Sequence, residues 1–199
     1  MMNDEEAIVI TNSKKYNRCS GFGSDFRFEG SSTCKNSPIV VVAIDALDLR
    51  VGLKFRQFEE AFILRDVHKA RIGFLQLDNN STNNITTAIA TGHWGCGAFG
   101  HDHVLKFLQQ WMAASISNVV LDYHTMPSML KKKIAQESVE LLPSIYAIFK
   151  GKTVGQLWEI ILDAAKDLIV QPSPFANQQL DECRVKFRSR IIAKGNVLS

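Results

Sequence analysis

A chain of 199 residues with 46% hydrophobic and 22% charged side chains has ample material for a core and is neither disordered nor fibrous in composition. Its 23 Lys+Arg against 20 Asp+Glu leave a formal charge of +3, too small to point to nucleic acid, so no direct DNA binding is expected. The start, MMNDEEAIVIT, puts acid before a short apolar run, the reverse of a secretory signal; no stretch approaches the roughly 18 apolar residues of a membrane span.

The elements follow in chain order. Glu6–Thr11 (EAIVIT) predicts a strand, and Asn12–Gly30, which interleaves Ser, Gly and charge with Tyr16, Phe22, Phe26 and Phe28, predicts an ordered loop. Pro38–Ile44 (PIVVVAI) is nearly all apolar and predicts a strand buried on both faces. From about Leu53 to Ile72, Phe55, Phe58, Phe62 and Leu64 alternate with charge at helical spacing. Gln57-Phe58-Glu59-Glu60 belongs to the solvated face of that helix. Asp78–Asn84 is a loop by composition, and Thr86–Ala90 a short strand. A helix then runs to about Ser117 with Val104, Leu105, Leu108 and Met112 on one face, followed by a buried strand at Asn118–Leu121 and a basic helix at Met129–Gln136. Thr153 and Gln156 form a capping-box pattern that opens a helix to Leu168, with Leu157, Trp158, Ile161, Leu162 and Ala165 as its stripe. After Pro172 and Pro174, Gln178–Ser199 carries Arg184, Lys186, Arg188, Arg190 and Lys194 and reads as a basic, loosely held end. Strands alternating with helices imply an α/β architecture.

Four glycines (Gly92, Gly95, Gly97, Gly100) fall within Thr91–Gly100, between a predicted strand and a predicted helix. Glycines let a backbone approach a ligand closely, and amides near a helix start favour phosphate. The spacing is neither G-x-G-x-x-G nor a Walker loop, so a tight turn and a phosphate cradle are both open on pattern alone; Trp94 and Phe99 inside the loop favour the cradle. The four cysteines, at 19, 34, 96 and 183, lack metal-type pairing and read as reduced thiols of a nuclear or cytoplasmic protein. His93, His101, His103 and His124 lie close in sequence, but a metal site needs three or four convergent ligands. They read as surface histidines, and neither metal nor cofactor is expected. Asp45, after the VVVAI run, could be an acid at a strand end or could fix the following turn.

The segment A-T-G-H-W-G-C-G-A-F-G-H-D closely resembles the A-T-G-N-W-G-C-G-A-F-G-G-D motif of the poly(ADP-ribose) glycohydrolase family. V-A-I-D-A-L, H-K-A-R-I-G-F, N-D-E-E-A-I-V-I with S-G-F-G-S-D-F-R-F-E-G, and K-T-V-G-Q-L-W are similar to further stretches of that family, over about residues 3–168. The resemblance implies a macrodomain-like mixed sheet flanked by helices, and hydrolysis of ribose–ribose bonds in poly(ADP-ribose). It implies that Gly95, Cys96, Gly97, Ala98 and Phe99 cradle the diphosphate of ADP-ribose, with Phe99 positioning the terminal ribose and Phe22 stacking on adenine. Within it, Asp45 looks structural.

The chain departs from the family's pattern at His93 (for Asn), His101 (for Gly), Cys19 (for Tyr) and Asp122-Tyr123-His124 (for Phe-Thr-Phe). The family's G-G-G followed by Q-E-E does not occur in these 199 residues. Residues 1–170 are therefore expected to be a partial glycohydrolase domain lacking its N-terminal part, inactive alone and with strand edges exposed, and 171–199 a basic tail. The alternative is a non-catalytic ADP-ribose-binding module; the partner in either case is poly(ADP-ribose) or ADP-ribose.

Overall fold

Period-two and period-3.6 patterns alternate along the chain, and strands and helices follow them. A computed structural model describes residues 2–21, 23–31, 39–49, 54–78, 88–125, 132–168 and 176–197. Strand β1 (Ile8–Ser13) pairs antiparallel with β4 (Ile39–Ala43), Ile8 opposite Ala43 and Ile10 opposite Val41. Between them β2 (Asn17–Ser20) and β3 (Arg27–Ser31) form a second antiparallel pair, so the segment expected as an ordered loop is a hairpin. Strands β5 (Ala88–Gly92) and β6 (Val120–His124) pair in parallel, with helix α2 (His103–Ile116) between them in sequence. A parallel pair needs such a crossover, because its ends lie at opposite ends of the sheet.

Two strand expectations are corrected. The PIVVVAI run is not buried on both faces: Ile39, Val40 and Val41, with Ile8 and Ile10 of β1, are between 39% and 53% exposed. Helix α1 (Glu60–Asp78) packs on this ribbon at Gly73, where an added Cβ would stand 3.1 Å from side-chain methyls of Val42 and Ile44. The strand expected at 118–121 lies at Val120–His124 and is not buried throughout, since exposed Val120, Asp122 and His124 alternate with half-buried Leu121 and Tyr123. Residues 79–87, which hold most of the expected loop, lie outside the described residues.

A 3-10 turn at Lys54–Phe58 precedes α1 and buries Phe55, Gln57 and Phe58. The expected solvated face is thereby corrected for Gln57 and Phe58, whereas Glu59 stays at the surface with Arg56 3.0 Å away. Helix α2 is buried on nearly every side and carries the centre of the core, where Val104, Leu105, Leu108 and Met112 meet Phe58, Ile63, Ile145 and Ile161. Helix α3 (Lys132–Phe149) runs well past the basic segment expected to end at 136 and tolerates Pro143 within it. Helix α4 (Val154–Ala165) opens with the expected capping box: the Gln156 amide donates to Thr153 Oγ1 at 3.2 Å, and the Thr153 amide to Gln156 Oε1 at 2.9 Å. Among the described residues no helix is long and apolar enough to cross a membrane.

The largest correction concerns the end of the chain. Ala176–Val197 is a 22-residue helix, α5, and not a loosely held end. Leu180, Cys183, Phe187 and Ile191 recur at 3.6-type spacing and enter the same core as α2, with the Phe187 ring 5.3 Å from that of Phe58. Buried Gly195 brings α5 close to α3, since a Cβ there would stand 2.0 Å from Ile148 Cγ2 and 3.1 Å from Phe149 Cζ. Alanine is the better helix former by about 1 kcal/mol. Overpacking costs about 1–3 kcal/mol. Gly195→Ala is therefore expected to lower the thermal midpoint; an unchanged or raised midpoint would show that α5 is not seated against α3.

Candidate functional site

The loop from His93 to Asp102 leaves the end of β5 and enters α2. It is shaped from within: the Trp94 amide donates to Gly92 O at 2.7 Å, the Cys96 amide to His93 O at 3.0 Å and the His101 amide to Gly95 O at 3.2 Å. Gly95 and Gly100 both have φ of +76°, the left-handed region that glycine occupies at little cost. Gly95 is required twice, because a Cβ would come within 2.8 Å of Ala46 Cβ and of His101 Cδ2. Gly97 and Ala98 form the exposed crest, with open space above Gly97, while Phe99 is half-buried. Cys96 points inward; burial pushes its thiol up to about 12, so it stays protonated and is no nucleophile.

The loop ends on a helix cap. Asp102 Oδ1 accepts from the Val104 and Leu105 amides, both at 3.0 Å, and its own amide donates to Gln57 Oε1 at 2.7 Å. Oδ2 accepts from Arg188 of α5 through Nη2 at 2.6 Å and Nε at 3.0 Å. Arg184, one turn earlier on α5, donates to the Gly100 carbonyl. Sequence reasoning missed all three supports, Gln57, Arg184 and Arg188.

Beneath the loop lies a buried charge network. Lys106 of α2 pairs with Asp66 of α1, which also accepts from Arg65 at 3.0 Å, and the Lys106 ammonium sits 3.8 Å from the Trp94 ring centroid. Arg65 reaches Asp4 at 2.6 Å, and Lys69 reaches Asp45 at 2.9 Å and the carbonyls of Asn3 and Glu6 at 2.6 Å. Burial raises the Asp45 carboxyl, but the Lys69 hydrogen bond and the Arg65 and Lys69 charges outweigh it and hold the group low. Asp45 is thus an ionised tie to α1 and no proton donor.

The surface reading of the histidines is corrected for two of them. His101 is buried under the loop, its Nε2 2.8 Å from Leu47 O, so Nε2 donates; burial, with Lys106 adding to it, pushes the ring down to about 4. His103 is buried with Nδ1 3.3 Å from Arg188 Nη2, and burial likewise pushes it to about 4. His93 Nδ1 lies 3.0 Å from the Tyr123 hydroxyl, and burial lowers that ring too. His124 remains exposed beside Asp122 at 3.1 Å. Two departures from the family pattern, His93 and Tyr123, therefore partner each other, and a third, His101, fills space below the loop instead of its mouth. Among the described residues no group of three or more His, Cys, Asp or Glu is placed to hold a metal ion. Phe22 lies outside the described residues.

A glycine loop that leaves a parallel strand, exposes its crest and enters a capped buried helix belongs to an α/β domain. The family described as "Poly (ADP-ribose) glycohydrolase (PARG), Macro domain fold" matches residues 1–133. The chain belongs to the poly(ADP-ribose) glycohydrolase family and has its macrodomain fold. It is 26% identical to poly(ADP-ribose) glycohydrolase 1 of Arabidopsis thaliana over 86% of this chain and 43% of that protein. It is 32% identical to poly(ADP-ribose) glycohydrolase 2 of Caenorhabditis elegans over 74% of this chain and 29% of that protein. The chain thus spans less than half the length of these curated relatives.

Proposed function

We propose that this chain carries the ADP-ribose-cradling part of a poly(ADP-ribose) glycohydrolase site, and that alone it binds ADP-ribose without cleaving the polymer. In this reading Gly95–Phe99 wraps the diphosphate, Phe99 positions the terminal ribose and Phe22 stacks on adenine. The carrying observation is the exposed crest at Gly97 and Ala98, backed by the positive-φ glycines and by Arg184 and Arg188 of α5. Asp102 would repel a diphosphate, but its Arg188 partner cancels that charge.

Cleaving a ribose–ribose bond needs a positioned carboxyl group to protonate the leaving oxygen and stabilisation of an oxocarbenium-like centre. The 199 residues contain no G-G-G followed by Q-E-E, and Asp45, Asp66 and Asp102 are each committed to cations. A nuclear or cytoplasmic site of action belongs to the same reading.

Calorimetric titration with ADP-ribose tests it. Saturable binding is expected, weakened about tenfold by Phe99→Ala, on the scale of one lost aromatic contact. No heat from the folded chain would overturn the binding reading, and ADP-ribose released from the polymer would overturn the claim of silence.

A further inference from the structure

Helix α5 reaches the loop from 84 to 86 residues further along the chain, and its two nearest arginines have different jobs. Arg188 neutralises a buried carboxylate. Arg184 instead donates to a main-chain carbonyl, that of Gly100, the residue where the loop turns through positive φ into the cap of α2. Its other arm holds Asp181 at 3.0 Å on the outer face of α5, so the guanidinium spans from helix to loop. The side chain is about four-fifths covered.

We propose that Arg184 is a positioning residue that fixes the far end of the ligand loop, so that the seating of α5 sets how Gly97 and Ala98 are presented. The near end is held by contacts within the loop and by Ala46 and His101 against Gly95. The far end has the cap at Asp102 and, two residues before it, the Arg184 bond to Gly100. A charged hydrogen bond in a partly dry setting is worth more than a neutral one and is directional, which suits a guanidinium to the task. The consequence for ligand affinity rests on the reading above; the consequence for the loop itself does not.

The experiment compares the full chain with Arg184→Ala and Arg184→Lys by amide hydrogen exchange without ligand, then by ADP-ribose titration. Arg184→Ala is expected to speed exchange at His101, whose amide bonds to Gly95 O beside the far end, by about tenfold to a hundredfold, the worth of a charged hydrogen bond, and to change exchange at Cys96 in the near end less. Protection in α1 and α4 should not change. Arg184→Lys, which keeps a cationic donor, should recover part of the protection, and affinity should follow the same order. Unchanged loop exchange in Arg184→Ala would overturn the proposal, as would exchange rising equally throughout the chain. Should the wild-type chain bind no ADP-ribose, the binding reading falls while the exchange comparison still decides the role of Arg184.

Discussion

Asp66→Ala is expected to cost about 3–5 kcal/mol, the scale for removing one partner of a buried ion pair. Much of the stability of a domain of this size would go with it. The carboxylate is buried and joins Lys106 of α2 to Arg65 of α1, the two helices on which the core is built. Without it the buried Lys106 ammonium loses its carboxylate partner and is left against the face of Trp94. Urea unfolding followed by circular dichroism measures the loss. The pair Asp66→Leu with Lys106→Met removes both charges and should recover most of it, because well-packed apolar groups commonly replace a buried ion pair at little cost. A single-variant loss below about 1 kcal/mol, the range of an exposed pair, would show that water reaches the site.

Acid should weaken the fold well above the range where carboxylates titrate. An unfolded imidazole titrates near 6.5, whereas burial holds His101 and His103 at about 4 in the folded chain. Between those values the unfolded chain takes up protons that the folded chain refuses. Stability is therefore full above about pH 6.5 and falls as pH drops toward 4, by about 3 kcal/mol for each ring. The low-lying carboxyls of Asp45 and Asp102 act in the same direction but further down, below their ordinary value of 3.8. Melting midpoints at pH 7, 5.5 and 4.5 read the effect, and the double variant His101→Gln, His103→Gln should flatten the curve across that window. A midpoint that holds steady from pH 7 to 4.5 in the wild type would rule out the buried neutral rings.

What the sequence showed beforehand depended on how local each cause was. The Thr153–Gln156 cap and the Val104–Met112 stripe were legible because their partners lie within a few residues. The glycine loop was legible for the same reason, since positive φ at Gly95 and Gly100 is a local demand. Helix α5 was not. Its stripe of Leu180, Cys183, Phe187 and Ile191 is one residue wide per turn and is crowded by five basic side chains. The burial of Lys106 and Lys69 could not be read, because Asp66 is 40 residues from the one and Asp45 is 24 from the other. His101 and His103, two apart at a helix start, point to different sides, which suggests solvent for at least one. In fact both are buried, His101 against the Leu47 carbonyl and His103 beside Arg188 of α5.

The distance between the loop and its support also orders events in time. Ribosomes add about 5–20 residues per second, so the 84 residues from Gly100 to Arg184 take about 4–17 s to make. Throughout that interval β5, the glycines and the cap residue already exist, but the guanidinium that closes the far end does not. Completion of the loop thus waits on a helical turn that is made well after the loop itself.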